Sequence, residues 1–165
     1  MAEKLAKKFG FPLNPAYVAG LLHDCARSLS AEALLLNAKK YKIKITPILR
    51  KNPILLHGEI SAKFAYKYFG IKEKIILKAI ACHIVGTTRM SKLAKLIFIA
   101  DFIEPSRNFP AAQKIRNLLF KNKTHNKTRL LELAVKLKAQ NSLDYAFKKN
   151  WQIHPVLVKL AKRKV

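Results

Sequence analysis

The chain has 165 residues, half of them hydrophobic, and 33 Lys and Arg stand against nine Asp and Glu for a formal charge of +24. That length buries roughly two thirds of the unfolded surface in one core, and the apolar fraction excludes a disordered tail. Two cysteines, Cys25 and Cys82, exclude a disulfide framework. The longest apolar run, Leu96 to Ile103, is interrupted by Asp101 and excludes a membrane span.

Residues 1–165 are expected to form one all-α domain, a bundle of about eight or nine helices. Met1 to Gly10 is charged and amphipathic, without the apolar centre of a signal peptide, so the cytoplasm is the default. Asn14 followed by Pro15 predicts a helix start, with Asn as N-cap and Pro at the first position. That helix runs to about Arg27 and carries an apolar stripe of Val18, Leu21, Leu22 and Cys25. Ser30 caps Ala31 to Lys40, and Tyr41 to Asn52 is a basic connection with at most a short helix. Further helices are expected over Ile54–Phe69, Lys72–Ile84, Ser91–Glu104 and Ala111–Phe120. Beyond a polar loop from Lys121 to Lys127, they continue over Thr128–Ala139, Ser142–Asn150 and Pro155–Lys164.

The informative residues are ionisable ones on apolar faces. His23 and Asp24 stand together, His23 on a face of Ala16, Ala19, Gly20 and Ala26 that leaves a hollow or admits a second backbone. His57 shares a stripe with Ile60, Ser61, Phe64, Ala65 and Tyr68. His83 shares one with Ile76, Ala79 and Ile80, and Asp101 lies one turn beyond Ile97 and Phe98. Burying such groups unpaired costs several kcal/mol. One instance alone has the dull explanation of a satisfied core residue. Four helices that each carry His or Asp in this way point instead to imidazole and carboxylate ligands for a transition metal such as Fe, Mn or Zn. His125, in a Lys/Asn loop, and His154, before Pro155, read as surface or capping residues, and both cysteines as small core residues.

Gly20-Leu-Leu-His-Asp, Leu55-Leu-His-Gly58, Ala79-Ile-Ala-Cys-His83 and Ile99-Ala-Asp-Phe-Ile-Glu-Pro-Ser-Arg107 resemble the signature blocks of the HD-domain superfamily. More narrowly, they resemble its symmetrical bis(5'-nucleosyl)-tetraphosphatase branch. The resemblance implies two iron ions, with manganese or another divalent metal as substitutes, and cleavage of a dinucleoside tetraphosphate into two nucleoside diphosphates. It makes His23, Asp24, His57, His83 and Asp101 metal ligands, with His23, Asp24 and Asp101 at the catalytic centre and Asp24 the expected bridge. Two such metals acidify a water and clamp phosphate oxygens for in-line displacement.

A substrate with roughly four negative charges also needs cationic groups. Arg27 and Arg107 are the candidates, with Gly86, Thr87 and Arg89 as further phosphate contacts and Glu104 placed to hold a ligand or Arg107. Each arginine has the competing reading of a solvated charge. Tyr66, Tyr68, Phe102 and Phe109 are the candidates for stacking on a base. The family pattern has a further histidine ligand upstream of the segment matching Leu5-Ala6. Five of six ligands are therefore expected here, with one weakly held metal and low activity. Ile84 stands where the pattern has threonine.

A small-molecule dinucleoside polyphosphate is thus the expected partner, with no membrane and a homodimer left open. Two alternatives remain: an HD phosphohydrolase acting on another nucleotide, or a weakened HD module that binds RNA through its basic surface. RNA is the less favoured partner, because no nucleic-acid motif accompanies the charge.

Overall fold

A computed structural model describes residues 1–122 and 126–165; His125 lies outside them. Among the described residues there are ten α-helices, one 3-10 turn and no strand. None of the helices is long and apolar enough to cross a membrane.

The centre of the bundle is α7 (Lys92–Phe102), started by Ser91, whose Oγ accepts the Ala94 N–H at 3.2 Å. Its residues are apolar almost all round and buried from Leu93 to Ala100, Lys95 excepted, as a helix enclosed by others requires. Around it pack α1 (Ala2–Phe9), α2 (Leu13–Leu22), α6 (Lys74–Ala81) and α9 (Lys127–Lys148). α1 and α2 meet closely, since a Cβ on Gly20 would lie 2.9 Å from that of Ala2. The small-residue face of α2 therefore admits a neighbouring helix. Ala16, Ala19 and Leu22 are buried, whereas Leu21, expected on the inward stripe, is 65% exposed.

A second, smaller core joins α3 (Ala31–Lys40), α4 (Pro47–Lys51) and the 3-10 turn Pro53–Leu56 to α5 (His57–Phe69). It is built on Leu34, Ala38, Ile43, Leu49, Leu56 and Ile60. α5 buries His57, Ile60, Ser61 and Ala65 as expected, but Tyr68 is exposed beyond the edge of that face. α8 (Pro110–Lys121) and α10 (Pro155–Ala161) close the other side against α9.

α6 is shorter than the expected Lys72–Ile84, which leaves His83 in a turn whose Gly86 N–H goes to the Cys82 carbonyl, and α10 ends at Ala161 rather than Lys164. Three further departures each have a physical reason. α2 begins at Leu13, so Pro15 falls in a first turn whose N–H groups lack intrahelical partners anyway. It ends at Leu22 rather than near Arg27, because the Ala26 N–H goes to Ser61 Oγ at 3.1 Å and the Leu22 carbonyl takes Cys25 N–H instead. Finally, α9 runs unbroken through Asn141 and Ser142, where two helices were expected. α10 packs along it and Gln140 reaches the Ala161 carbonyl, so tertiary packing overrides a local cap signal.

Candidate metal centre

His23, Asp24, His57, His83 and Asp101 come together from four segments of the chain. His57 opens α5 and His83 follows α6 in a tight turn. His23 caps α2, Asp24 follows it, and Asp101 sits in the last turn of α7. His23, His57 and His83 share one local device. Each ring bonds through Nδ1 to the carbonyl three residues earlier: Gly20 at 2.7 Å, Ile54 at 2.6 Å and Ile80 at 2.8 Å. A carbonyl only accepts, so each Nδ1 carries the hydrogen and each Nε2 is left with a lone pair.

Those Nε2 atoms converge on Asp24. Its Oδ1 lies 3.0 Å from His57 Nε2 and 3.2 Å from His83 Nε2, and the two nitrogens are 3.1 Å apart. His23 Nε2 is 3.6 Å from Asp24 Oδ2 and 3.9 Å from Asp101 Oδ1. One ligand atom from each of His23, Asp24 and His83 lies within 4.8 Å of the others. His57 and His83 are almost wholly buried. Acceptors gathered this tightly repel unless a cation or shared protons stand among them. The donor set of imidazole nitrogens and carboxylate oxygens fits a divalent transition metal, and these five residues are the ones that could hold it.

The ionisation of the cluster is consistent with this. Burial pushes the Asp24 carboxyl up, but its short contacts with the His57 and His83 rings outweigh it and hold the group well below the usual carboxylate range. Asp101 behaves likewise, with His23, Lys138 and Arg107 outweighing burial. Burial, aided by the neighbouring His23 and His57 rings, pushes His83 down against the pull of Asp24. His23 ends above its ordinary value, because Asp101 and Asp24 overcome the effect of burial.

Two close approaches hold the ligands in register. A Cβ on Gly58 would fall 2.8 Å from the Ala81 carbonyl oxygen and 3.4 Å from His83 Cε1, so the start of α5 lies directly against the end of α6. Ser61 ties α5 to the turn that carries Asp24. A third device is one that the sequence reading missed among 33 basic residues. Lys138 is 3% exposed, and its Nζ donates to the His83 carbonyl at 2.9 Å and the Phe98 carbonyl at 2.6 Å. It also sits 3.6 Å from the centre of the Phe98 ring. Burial lowers its pKa from 10.5 to about 8. The signal was present in the sequence: Leu131, Ala134, Val135, Lys138 and Ala139 form an apolar helical stripe with one ionisable member.

The remaining candidates divide. Arg107 Nη2 lies 2.8 Å from Asp101 Oδ1, and Arg27 Nη1 lies 3.3 Å from Asp24 Oδ2 at the exposed rim. Glu104 does not hold Arg107 through its side chain; it accepts the Ser106 N–H and hydroxyl and so shapes the turn that carries Arg107. Arg116 clamps the same turn through the Ile103, Glu104 and Arg107 carbonyls. Gly86 is buried at φ 73, its N–H is spent on the Cys82 carbonyl, and a Cβ there would strike Leu160 at 2.8 Å. It is thus a turn residue and has no donor left for phosphate. Thr87 and Arg89 follow it and are exposed. Cys25 and Cys82 are part-buried thiols, and His154 caps α10 as expected, accepting the Val156 N–H at 3.3 Å.

His23, Asp101 and Glu104 also border a cavity of about 300 Å³. An all-α bundle that gathers imidazoles and carboxylates from four segments defines a class of proteins able to hold a metal at the helix convergence. A family model described as the HD domain matches residues 1–106, and the chain belongs to that family. It is 33% identical over 154 residues to the symmetrical bis(5'-nucleosyl)-tetraphosphatase of Halalkalibacterium halodurans, and 30% identical over the same length to that of Bacillus subtilis. Each match covers 93% of this chain and 78% of the relative. A crystal structure from Clostridium acetobutylicum, described as a predicted HD superfamily hydrolase involved in NAD metabolism, superposes with a TM-score of 0.88 at 29% identity. That match covers 99% of this chain and 84% of the other.

Proposed function

We propose that this chain is a metal-dependent hydrolase that cleaves dinucleoside tetraphosphates symmetrically, giving two nucleoside diphosphates. The observation that carries the proposal is the convergence of three Nε2 lone pairs on Asp24, with each opposite ring nitrogen committed to a backbone carbonyl. The names of its relatives point to the same substrate. His23, Asp24, His57, His83 and Asp101 would hold the metal, iron first and manganese next. When bound, it supplies Lewis acidity toward phosphate oxygens and an acidified water.

The chain's own residues bind and orient. The Nδ1 bonds fix the three imidazoles in one tautomer, so no reorganisation is needed when the ligands are used. Arg107 is half-buried beside Asp101 and offers a planar fork to phosphate oxygens that the metal leaves free. Arg27 does the same at the rim beside Asp24. In the metal-free chain both arginines neutralise the carboxylates.

Diadenosine tetraphosphate incubated with the iron- or manganese-loaded chain should yield ADP as the only product on ion-exchange chromatography. AMP with ATP would mean asymmetric cleavage and refute the proposal, as would no turnover with either metal. The naming of the Clostridium structure for NAD metabolism favours a second reading, hydrolysis of another nucleotide at the same site. NAD and mononucleotides in the same assay separate the two.

A further inference from the structure

A second cavity, of about 590 Å³, lies beside the cluster and plays no part in holding a metal. That volume is within the range of small-molecule sites. Its wall carries four aromatic residues from three parts of the chain: Phe102, Phe109, Tyr145 and Trp151. They form two edge-to-face pairs, Phe102 with Phe109 at 5.1 Å and Tyr145 with Trp151 at 5.6 Å between ring centres. Among them are the polar side chains of Asn141 and Gln152. Arg107 lines the same cavity while its guanidinium meets Asp101, so one residue joins the aromatic wall to the metal centre. Phe102 is also the immediate neighbour of Asp101 in the chain.

A planar heterocycle matches this wall. It presents π-faces for aromatic side chains and a polar edge for carboxamides, and it hangs from a phosphate that an arginine can grip. A purely aliphatic ligand would leave Asn141, Gln152 and Arg107 without partners, and an anion alone would leave the aromatic rings idle. Tyr66 and Tyr68, the other aromatic candidates, lie exposed on α5 and do not border this space.

We infer that this cavity is the seat of one nucleobase of the substrate, with Arg107 holding the phosphate that links the base to the metal centre. The inference rests on the proposed nucleotide chemistry but not on turnover. Trp151 is the only tryptophan of the chain, so its emission reports on the cavity directly. ADP added to the manganese-loaded chain should quench or shift that emission saturably, whereas inorganic pyrophosphate should bind by calorimetry without doing so. Tyr145→Ala, which removes an exposed ring, and Ser142→Phe, which fills the cavity from its rim, should each weaken ADP binding at least ten-fold. Both should leave pyrophosphate affinity unchanged, which also shows that the variants are folded.

Silence of Trp151 while ADP binds would overturn the assignment. So would failure of ADP to bind more tightly than pyrophosphate, or wild-type ADP affinity in both variants. Tetraphosphate turnover with a silent Trp151 would remove the pocket and keep the hydrolase. A saturable ADP response with no turnover would keep the pocket and remove the hydrolase.

Discussion

Replacing Lys138 by methionine separates the energetics of the buried ammonium from its positioning role. A lysine whose pKa falls from 10.5 to about 8 costs about 3 kcal/mol to keep charged at neutral pH. Methionine removes that cost and fills much of the same volume. It also takes a charged donor away from the His83 and Phe98 carbonyls, hydrogen bonds worth about 1.5–3 kcal/mol each. The two effects largely cancel, so Lys138→Met should destabilise the metal-free chain by only about 1 kcal/mol at pH 7.

The sign of the pH dependence follows from proton counting. Between pH 8 and 10.5 the unfolded lysine still binds a proton that the folded one has lost, so wild-type stability gains with rising pH. The variant lacks this gain. The stability gap in favour of wild type should widen by about 2–3 kcal/mol from pH 7 to pH 10, read from urea unfolding of both chains in chelator. The Cys82 thiol, which burial pushes up to about 11, stays protonated across this window in both folded chains. At neutral pH the variant should bind manganese at least ten-fold more weakly, because His83 and the segment bearing Asp101 lose their common tie. A gap that stays constant between pH 7 and 10 would refute the charge argument. Unchanged manganese affinity would refute the positioning argument.

Three further outcomes follow from the same contacts. Gly58→Ala forces a methyl against the Ala81 carbonyl and toward His83, and should cost about 1–3 kcal/mol in thermal unfolding while weakening metal binding. Ser61→Ala strands the buried Ala26 N–H and should cost about 1–3 kcal/mol; a loss below a few tenths would show that another acceptor takes over. Asp24 and Asp101 have carboxyls held below their ordinary values. The stability they contribute is present at neutral pH and lost as pH falls below about 5. Asp101→Asn should therefore flatten the acid limb of the metal-free chain's unfolding midpoint against pH, and an unaltered limb would remove Asp101 from that account.

Local pattern carried a large part of this protein. The all-α class, the Ser30 and Ser91 caps, and the placement of His57 on a buried helix face could be read because helical periodicity is written within a few consecutive residues. His83 is buried as well, but in the turn beyond α6, and Asp101 is only part-buried. Lys138 was legible by the same rule but was hidden by the abundance of surface lysines. The inward stripe assigned to Leu21 failed for a related reason. On α2 the residues that admit neighbouring helices are the small ones, so burial follows close approach rather than hydrophobicity.

What periodicity cannot carry is any partnership between distant segments. The end of α2 depends on a serine 35 residues away from the N–H it accepts, and the continuity of α9 depends on α10 folding back along it. Gly86 must be glycine because Leu160, far along the chain, packs against it. The Trp151 cavity has no local signature at all, since its rings come from α7, α9 and the connections that follow them, which meet only in the folded chain. Composition and spacing alone determined which side chains needed partners, because burying a polar group has a cost wherever it occurs. Only the tertiary structure decided which partners they found, because that depends on distances that no stretch of sequence contains.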